Sequence, residues 1–123
     1  MGVSTDAKLF YGVLVSDVEN GLDEVRAAKI LGFVEDSFDE FEDGGSIADF
    51  ELPAGLEWEF TGHIDGCPSI YAAAKGGLTA WRGSDTEVKA LPKVSAAQRK
   101  KLDAIAKKLG RRAGYFLAPY TDF

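Results

Sequence analysis

Two reactive side chains lie close together in the stretch GHIDGCPSI, residues 62–70. This stretch contains the single histidine, His63, and the single cysteine, Cys67, of the 123-residue chain. A thiolate nucleophile needs a nearby base, and an imidazole is a common one. The stretch therefore poses the question of a small catalytic or metal-binding site.

The turn between these residues argues against a ready-made pair. Asp65–Gly66 between two strand-like segments is a typical hairpin signal, because type I′ turns need positive φ at both central residues. A two-residue loop places Cys67 opposite Ile64, and His63 and Cys67 then project from opposite faces. A longer loop over residues 65–68 leaves Cys67 at the tip and keeps the question open.

The rest of the sequence contains few residues that could complete a metal site or an active site. A zinc site needs four protein ligands, or three and a water, and the chain has no second His or Cys. We therefore expect no metal and no cofactor, and no residue is predicted to be catalytic. The enzymatic alternative is a small hydrolase or nucleotide-binding protein with a pocket formed by His63, Asp65, Cys67 and Arg82.

The strands that must position these residues are predicted from composition and alternation. They are expected at 8–15, 56–64, 69–75, 78–82, 86–91 and 114–120. In the second of these strands the apolar side chains face the core, and the polar ones, Glu57, Glu59 and Thr61, face solvent. Pro119 indicates that the last strand lies at an edge or that its pairing ends there.

Two helices are predicted from their end signals. The first covers 22–31, with Asn20 as its cap and Gly32 just after its last turn. The second follows Ser95, which forms a capping box with Gln98, and it ends at Gly110. The resulting order is β-α-β-β-α-β with additional short strands, which predicts one α+β domain over residues 1–123. We expect an antiparallel sheet of four to six strands, with the ferredoxin-like topology as the finer prediction.

The acidic stretch EDSFDEFED, residues 35–43, is the third possible helix. Val34, Phe38 and Phe41 recur at helical spacing, which favours a short acidic helix, with a loop as the alternative. Blocks of like charge are usually solvated faces, but an acidic surface also attracts and orients a basic partner. The candidate partner-binding residues are Glu35, Asp36, Phe38, Asp39, Glu40, Phe41, Glu42 and Asp43.

The charge distribution is uneven along the chain. Residues 1–66 contain 16 acidic and 3 basic residues, whereas residues 67–123 contain 4 acidic and 11 basic ones, so the halves carry −13 and +7. The basic residues in 98–112 could contact phosphates, but a pI of about 4.7 is opposite to that of most nucleic-acid-binding domains. We expect no direct nucleic-acid binding, and we expect this basic helix to complement the acidic region of the same domain.

Three sequence blocks resemble a known group of proteins. STDAKLFYGVLV at 4–15, TAWRG at 79–83 and YFLAPY at 115–120 resemble small accessory proteins of unknown function from tailed bacteriophages and prophages. That group typically opens with a TDA-x-L-x-YG pattern, carries a His-containing strand and an AWRG-like motif, and ends in Trp/Tyr-Leu-Ala-Ser-Tyr. This chain departs from the pattern at Cys67, which is not beside His63, and at Pro119, where Ser is usual.

The resemblance implies a phage accessory gene product and supplies no mechanism. Such proteins commonly bind a host protein, and an acidic surface that occupies a nucleic-acid-binding groove is one route to an anti-CRISPR-like inhibitor. A minor virion or assembly protein is the structural alternative. Because no leader and no apolar run of spanning length are recognised, we expect a protein without membrane attachment in the bacterial cytoplasm.

Overall fold

The computed structural model describes residues 4–17, 23–39, 41, 45–63, 69–80 and 90–122. Its strands are β1 (Ser4–Ser16), β2 (Leu56–His63), β3 (Ser69–Ala74), β4 (Leu78–Ala80) and β5 (Gly114–Asp122). Its α-helices are α1 (Glu24–Ile30) and α2 (Ala96–Leu109), and a short 3-10 helix covers Ile47–Asp49. The predicted α+β class is confirmed. No helix in these ranges is long and apolar enough to cross a membrane.

Strand β1 is the centre of the sheet. It pairs antiparallel with β5 from Ser4 to Gly12, and with β4 at the three residues from Ala7 to Leu9. From Gly12 to Ser16 it pairs antiparallel with β3, which in turn pairs antiparallel with β2. The aromatic and β-branched residues that predicted a strand at 8–15 thus form the middle of a longer one.

The sheet curls so that β2 reaches β5. Gly62 pairs in parallel with Tyr120, and His63 pairs in parallel with Thr121. The antiparallel neighbours β5–β1–β3–β2 agree with the ferredoxin-like order, but the β2–β5 contact and the additional pairing of β4 with β1 depart from it. The ferredoxin-like topology is therefore not confirmed, and the fold is an α+β domain with a curled, mainly antiparallel sheet.

The helices cover one face of this sheet, which we call the helix face. Val13 and Val15 of β1 point to it and are fully buried. The other buried residues of this main core are Tyr11, Ala27, Ala28, Ile47, Leu52, Leu56, Ile70, Ala72, Ala74, Leu102, Ile105 and Ala106. Helices α1 and α2 thus contribute alanine and leucine side chains that pack on alternate residues of β1 and β3.

The opposite face, which we call the inner face, carries a second and smaller cluster. Its buried residues are Phe10, Ala73 and Ala118, with Tyr71 and Phe116 packed against them. The Phe10 ring lies 5.3 Å from Tyr71 in an edge contact and 6.0 Å from Phe116 in a stacked contact. Three aromatic rings packed on two alanines therefore fill the inner face.

Gly12 is required where β1 meets two neighbours. It is paired with Ala73 of β3 and with Gly114 of β5. A Cβ at Gly12 would lie 2.5 Å from the carbonyl oxygen of Ala72 and 3.0 Å from the Cα of Ala73. Glycine therefore permits the close approach of β1 and β3 at this point.

The helix ends agree with the prediction for α2 and partly for α1. The Ser95 hydroxyl accepts from the backbone N–H of Gln98 at 3.1 Å. In return, the Gln98 side-chain oxygen accepts from the backbone N–H of Ser95 at 2.9 Å. Gly110 ends α2 with a φ of 68°. Helix α1 begins later than predicted, because the side chain of Asp23 caps it by accepting from the Arg26 N–H at 2.7 Å. The predicted cap, Asn20, lies outside the described residues.

The strand ends also differ from the prediction. Pairing between β1 and β5 continues through Pro119 to Asp122, so it does not end at the proline. Strand β5 lies between β2 and β1, so the prediction that it lies at an edge is also wrong, although its pairing with β2 is seen only at Tyr120 and Thr121, just after Pro119. Of the strand predicted at 86–91, residues 90 and 91 are not in a strand and the rest lie outside the described part of the chain.

Candidate functional site

The acidic stretch is a loop where the structure describes it. Residues 34–39 and 41 contain no helix, so the predicted short acidic helix is wrong there and the loop alternative is correct. A backbone turn in this loop is closed by the Phe38 N–H, which donates to the Glu35 carbonyl at 3.0 Å. Three of the candidate residues, Glu40, Glu42 and Asp43, lie outside the described ranges.

The end of α1 explains why no helix follows. Gly32 has a φ of 78°, and its N–H donates to the Lys29 carbonyl at 3.1 Å. The Phe33 N–H donates back to the Ala28 carbonyl at 2.9 Å, which completes a Schellman motif. This motif turns the chain so that the Phe33 ring packs against the core, although Phe33 did not fit the predicted apolar stripe.

We call the described part of the acidic stretch, residues 35–39 and 41, the acidic loop. The ring of Phe50 fixes this loop to the domain. Phe33 stacks on it at 5.3 Å with the ring planes 5° apart, and Phe41 contacts it at 6.0 Å. Phe38 contacts Phe41 at 5.8 Å. Phe50 is itself held because its carbonyl accepts from the indole N–H of Trp58 at 2.8 Å. Both ends of the loop are thus attached to one aromatic cluster.

The same cluster adds carboxylates from another part of the chain. Asp49 and Glu51 flank Phe50 in sequence, and both are exposed, like the three acids of the loop. We call this set the acidic surface; it consists of Glu35, Asp36, Asp39, Asp49 and Glu51. None of the five forms an ion pair with another residue that the structure describes. Asp49 accepts a hydrogen bond from the Ser46 N–H at 3.0 Å, and all five carboxylates are exposed with charges that those residues do not compensate.

The predicted His63 pocket falls mostly outside the described residues. His63 ends β2, but its side chain and all of Asp65, Cys67 and Arg82 are not described, so their proximity stays a prediction. The register of the hairpin is informative, because Thr61 pairs with Ser69. A two-residue loop at Asp65–Gly66 with unbroken pairing requires Thr61 opposite Ile70, so the observed register differs from the predicted one by one residue. The predicted separation of His63 from Cys67 therefore loses its basis.

Sequence reasoning missed an ion pair on the inner face. The ammonium of Lys8 on β1 lies 2.8 Å from the Oε1 of Glu59 on β2. The Glu59 side chain is only 8% exposed, whereas that of Lys8 is 44% exposed. The prediction that Glu59 faces solvent is wrong, because the curl of the sheet covers its face. Runs of consecutive apolar residues in β1 and β3 were the available signal, since they are typical of strands buried on both faces.

The surroundings of this ion pair alter the titration of two groups. Burial raises the pKa of the Glu59 carboxyl above its ordinary 4.5; Lys8 opposes this rise, and Glu57 adds to it. Tyr71 is the cross-strand partner of Glu59, and burial, followed by the charge of Asp17, raises the pKa of its hydroxyl. Burial thus outweighs the attraction of Lys8 for the charged carboxylate.

The ion pair is best understood as a structural link. Lys8 and Glu59 satisfy each other, and no buried side-chain nitrogen or oxygen in the described part of the chain lacks a partner. No group of three or more His, Cys, Asp or Glu residues there could hold a metal ion. The ion pair therefore offers no free group for binding, whereas the carboxylates of the acidic surface are exposed and form no ion pair with the described residues.

Comparison with known proteins adds no family. No family model, no curated protein and no solved structure matches the chain. The resemblance to phage accessory proteins, which rests on short sequence blocks, stays a prediction. Function must therefore be inferred from the surfaces described above.

Proposed function

We propose that the protein is a phage accessory protein that binds a basic region of a host protein through the acidic surface. The observation that carries this proposal is the Phe50 cluster, which fixes two separate acidic segments beside each other. Their five carboxylates are exposed and form no ion pair with the described residues. They are therefore able to pair with the cations of another molecule.

Attachment of the loop makes this surface suitable for binding. A loop that is ordered before binding loses less conformational entropy when it meets a partner. The contacts of Phe33 and Phe41 with Phe50 supply that order at both ends of the loop. Grouped carboxylates also speed encounter with a basic surface and fix its orientation.

Phe38 supplies an apolar contact within the acidic loop. It is partly exposed, and it rests on Phe41, which is itself packed on the core. Binding energy in interfaces is concentrated in a few such aromatic residues surrounded by polar ones. A partner that fits this surface has basic side chains around a small apolar recess.

The chemistry of such a partner favours a nucleic-acid-binding host protein. Grooves that hold nucleic acid are lined by Lys and Arg, and a fixed array of carboxylates competes with phosphates for them. An acidic protein in such a groove blocks access of the nucleic acid. Inhibition of a host defence component, in the manner of an anti-CRISPR protein, is the function that we infer from this surface.

The experiment is a pull-down from the bacterial host with charge-reversed variants. The combined variant Glu35→Lys, Asp36→Lys and Asp39→Lys is expected to lose the partner that the wild type recovers. Asp39→Lys alone is compared with Asp103→Lys, which makes the same change on an exposed residue of α2. We expect Asp39→Lys to weaken recovery and Asp103→Lys to leave it intact. Equal recovery by the combined variant and the wild type would refute the proposal.

A further inference from the structure

A row of leucines lies on the helix face where the helices no longer cover it. Leu9 of β1 pairs with Leu117 of β5 on one side and with Leu78 of β4 on the other. Directly paired residues share a face, so the three side chains lie side by side. Leu117 is 71% exposed, whereas Val13, further along β1 on the same face, is fully buried. The helix layer therefore ends before this row.

The apolar surface continues towards the start of α2. Tyr115 is two residues before Leu117 and shares its face, and its hydroxyl donates to the Pro92 carbonyl at 3.1 Å. This bond holds the neighbouring Leu91, which is 52% exposed, beside the sheet. We call the whole set the leucine patch; it consists of Leu9, Leu78, Leu91, Tyr115 and Leu117. Leu91, Tyr115 and Leu117 are exposed, and Leu9 and Leu78 are half-buried. Adjoining apolar side chains of this kind are typical of interaction sites.

Positive charges border the leucine patch. The Arg99 guanidinium lies 5.0 Å above the ring of Tyr11, which contacts the ring of Tyr115 at 5.1 Å. Lys93 is exposed and directly follows Pro92, whose carbonyl accepts the hydrogen bond from Tyr115. Neither cation forms an ion pair with another residue in the described ranges. A partner that covers this patch therefore gains most if it brings carboxylates around an apolar residue.

The charges decide between two ways in which copies of the chain could meet. Two leucine patches facing each other bring the Lys93 and Arg99 side chains of both copies together, and like charges oppose such a contact. The acidic surface has the opposite charge and carries the partly exposed Phe38 among its carboxylates. We propose that the leucine patch of one copy binds the acidic surface of a second copy.

This contact joins two different surfaces. A pair of copies therefore still has one free leucine patch and one free acidic surface. Such head-to-tail contacts form rings or open chains. The proposal shares the acidic surface with the proposed function, and self-association therefore competes with binding of the host protein. A basic partner releases single copies from the assembled form.

Sedimentation velocity over a range of concentrations up to about 1 mM tests self-association directly. The wild type is expected to form larger species as its concentration rises, and fewer of them in high salt, because screening weakens the charge contacts. Leu117→Ser is expected to weaken association about tenfold or more, since it removes an apolar side chain from the contact. Ile30→Ser changes an exposed apolar residue outside the patch and is expected to associate like the wild type.

A charge exchange tests which surfaces meet. One variant carries Lys93→Glu and Arg99→Glu, and the other carries Glu35→Lys, Asp36→Lys and Asp39→Lys, which leaves the acidic surface with a net positive charge. Each variant alone presents two surfaces of like charge and is expected to stay monomeric. Their mixture restores complementary pairs and is expected to associate again. Association of the acid-reversed variant by itself would reveal contact between two leucine patches and overturn the proposal.

Two further outcomes would overturn the proposed self-association and leave the proposed binding of a host protein unaffected. They are a monomeric wild type at every concentration, and association that Leu117→Ser does not change. Because Leu117→Ser keeps the acidic surface, it is expected to recover the host partner in the pull-down. Loss of self-association with host binding retained separates the two proposals.

Discussion

Lys8 and Glu59 form a 2.8 Å ion pair across the inner face, although 51 positions separate them in the chain. Their strands, β1 and β2, are not neighbours in the sheet as the structure describes it. A flat sheet holds side chains on such strands apart, so the contact depends on the curl. The pair makes the stability of the closed sheet depend on the charge of one buried carboxyl group.

Removal of the lysine is expected to destabilise the protein. Lys8→Met leaves the buried carboxyl of Glu59 without a partner, which costs about 1–3 kcal/mol in the free energy of unfolding. Glu59→Gln keeps an acceptor for Lys8 and is expected to cost less. Urea unfolding followed by circular dichroism measures both. If Lys8→Met unfolds at the urea concentration of the wild type, the pair does not hold the sheet closed.

The raised pKa of Glu59 predicts a dependence of stability on pH. Above pH 4.5 the unfolded chain releases this proton while the folded protein still retains it, so folding takes up a proton there. The stability contributed by the protonated group is complete below its ordinary pKa and is lost as the pH rises through its raised pKa. We therefore expect the wild type to lose stability relative to Glu59→Gln as the pH rises from 4.5. Urea unfolding at several pH values measures this comparison. A wild type that gains stability relative to Glu59→Gln as the pH rises would contradict this assignment.

The two glycines that face each other across β1 and β5 are expected to respond differently to alanine. Gly12→Ala places a Cβ 2.5 Å from a backbone carbonyl, and we expect a loss of about 1–3 kcal/mol. Gly114→Ala meets no heavy atom within 4 Å, and we expect a change within about 0.5 kcal/mol. Urea midpoints of the two variants give the comparison. Equal effects would show that the close approach at Gly12 does not require glycine.

Loss of the Phe50 ring is expected to loosen the acidic loop. Phe50→Leu removes the aromatic contacts with Phe33 and Phe41, each worth about 0.5–1.5 kcal/mol beyond burial. Hydrogen exchange measured by mass spectrometry should become faster in residues 33–39 and stay unchanged in α2. Phe60→Leu is the matched control, because Phe60 is among the exposed large apolar residues. Unchanged exchange in the loop of the Phe50 variant would mean that something else orders it.

The elements with local determinants were predicted well from the sequence. Helix α2 is set by a capping box at Ser95 and Gln98 and by Gly110 at its end, all within the segment itself. The acidic loop has an equally clear local pattern, yet the pattern gave the wrong structure. The conformation there depends on the Schellman motif at Gly32 and on Phe50, which lies outside the acidic stretch.

Exposure of the sheet faces could not be read from alternation alone. The pattern in β2 assigned Glu59 to the correct face, together with Glu57 and Thr61. Whether that face meets solvent depends on contacts between strands that are far apart in sequence. The acidic surface has the same limit, because Asp49 and Glu51 join the loop only through ring contacts made by Phe50. The leucine row likewise needs the registers of three strands to become visible.

The pairing of β1 with β5 constrains how the protein folds during synthesis. Residues from Ser4 to Gly12 are paired with residues from Asp122 back to Gly114, so the central strand cannot complete its pairing until this much later segment has been made. Contacts between such distant segments form late, because a long loop must close before they gain any energy. Until residues 114–122 leave the ribosome, the apolar faces and one edge of β1 lack their final cover. Unfinished chains therefore expose an unpaired edge of an apolar strand, a feature that favours aggregation.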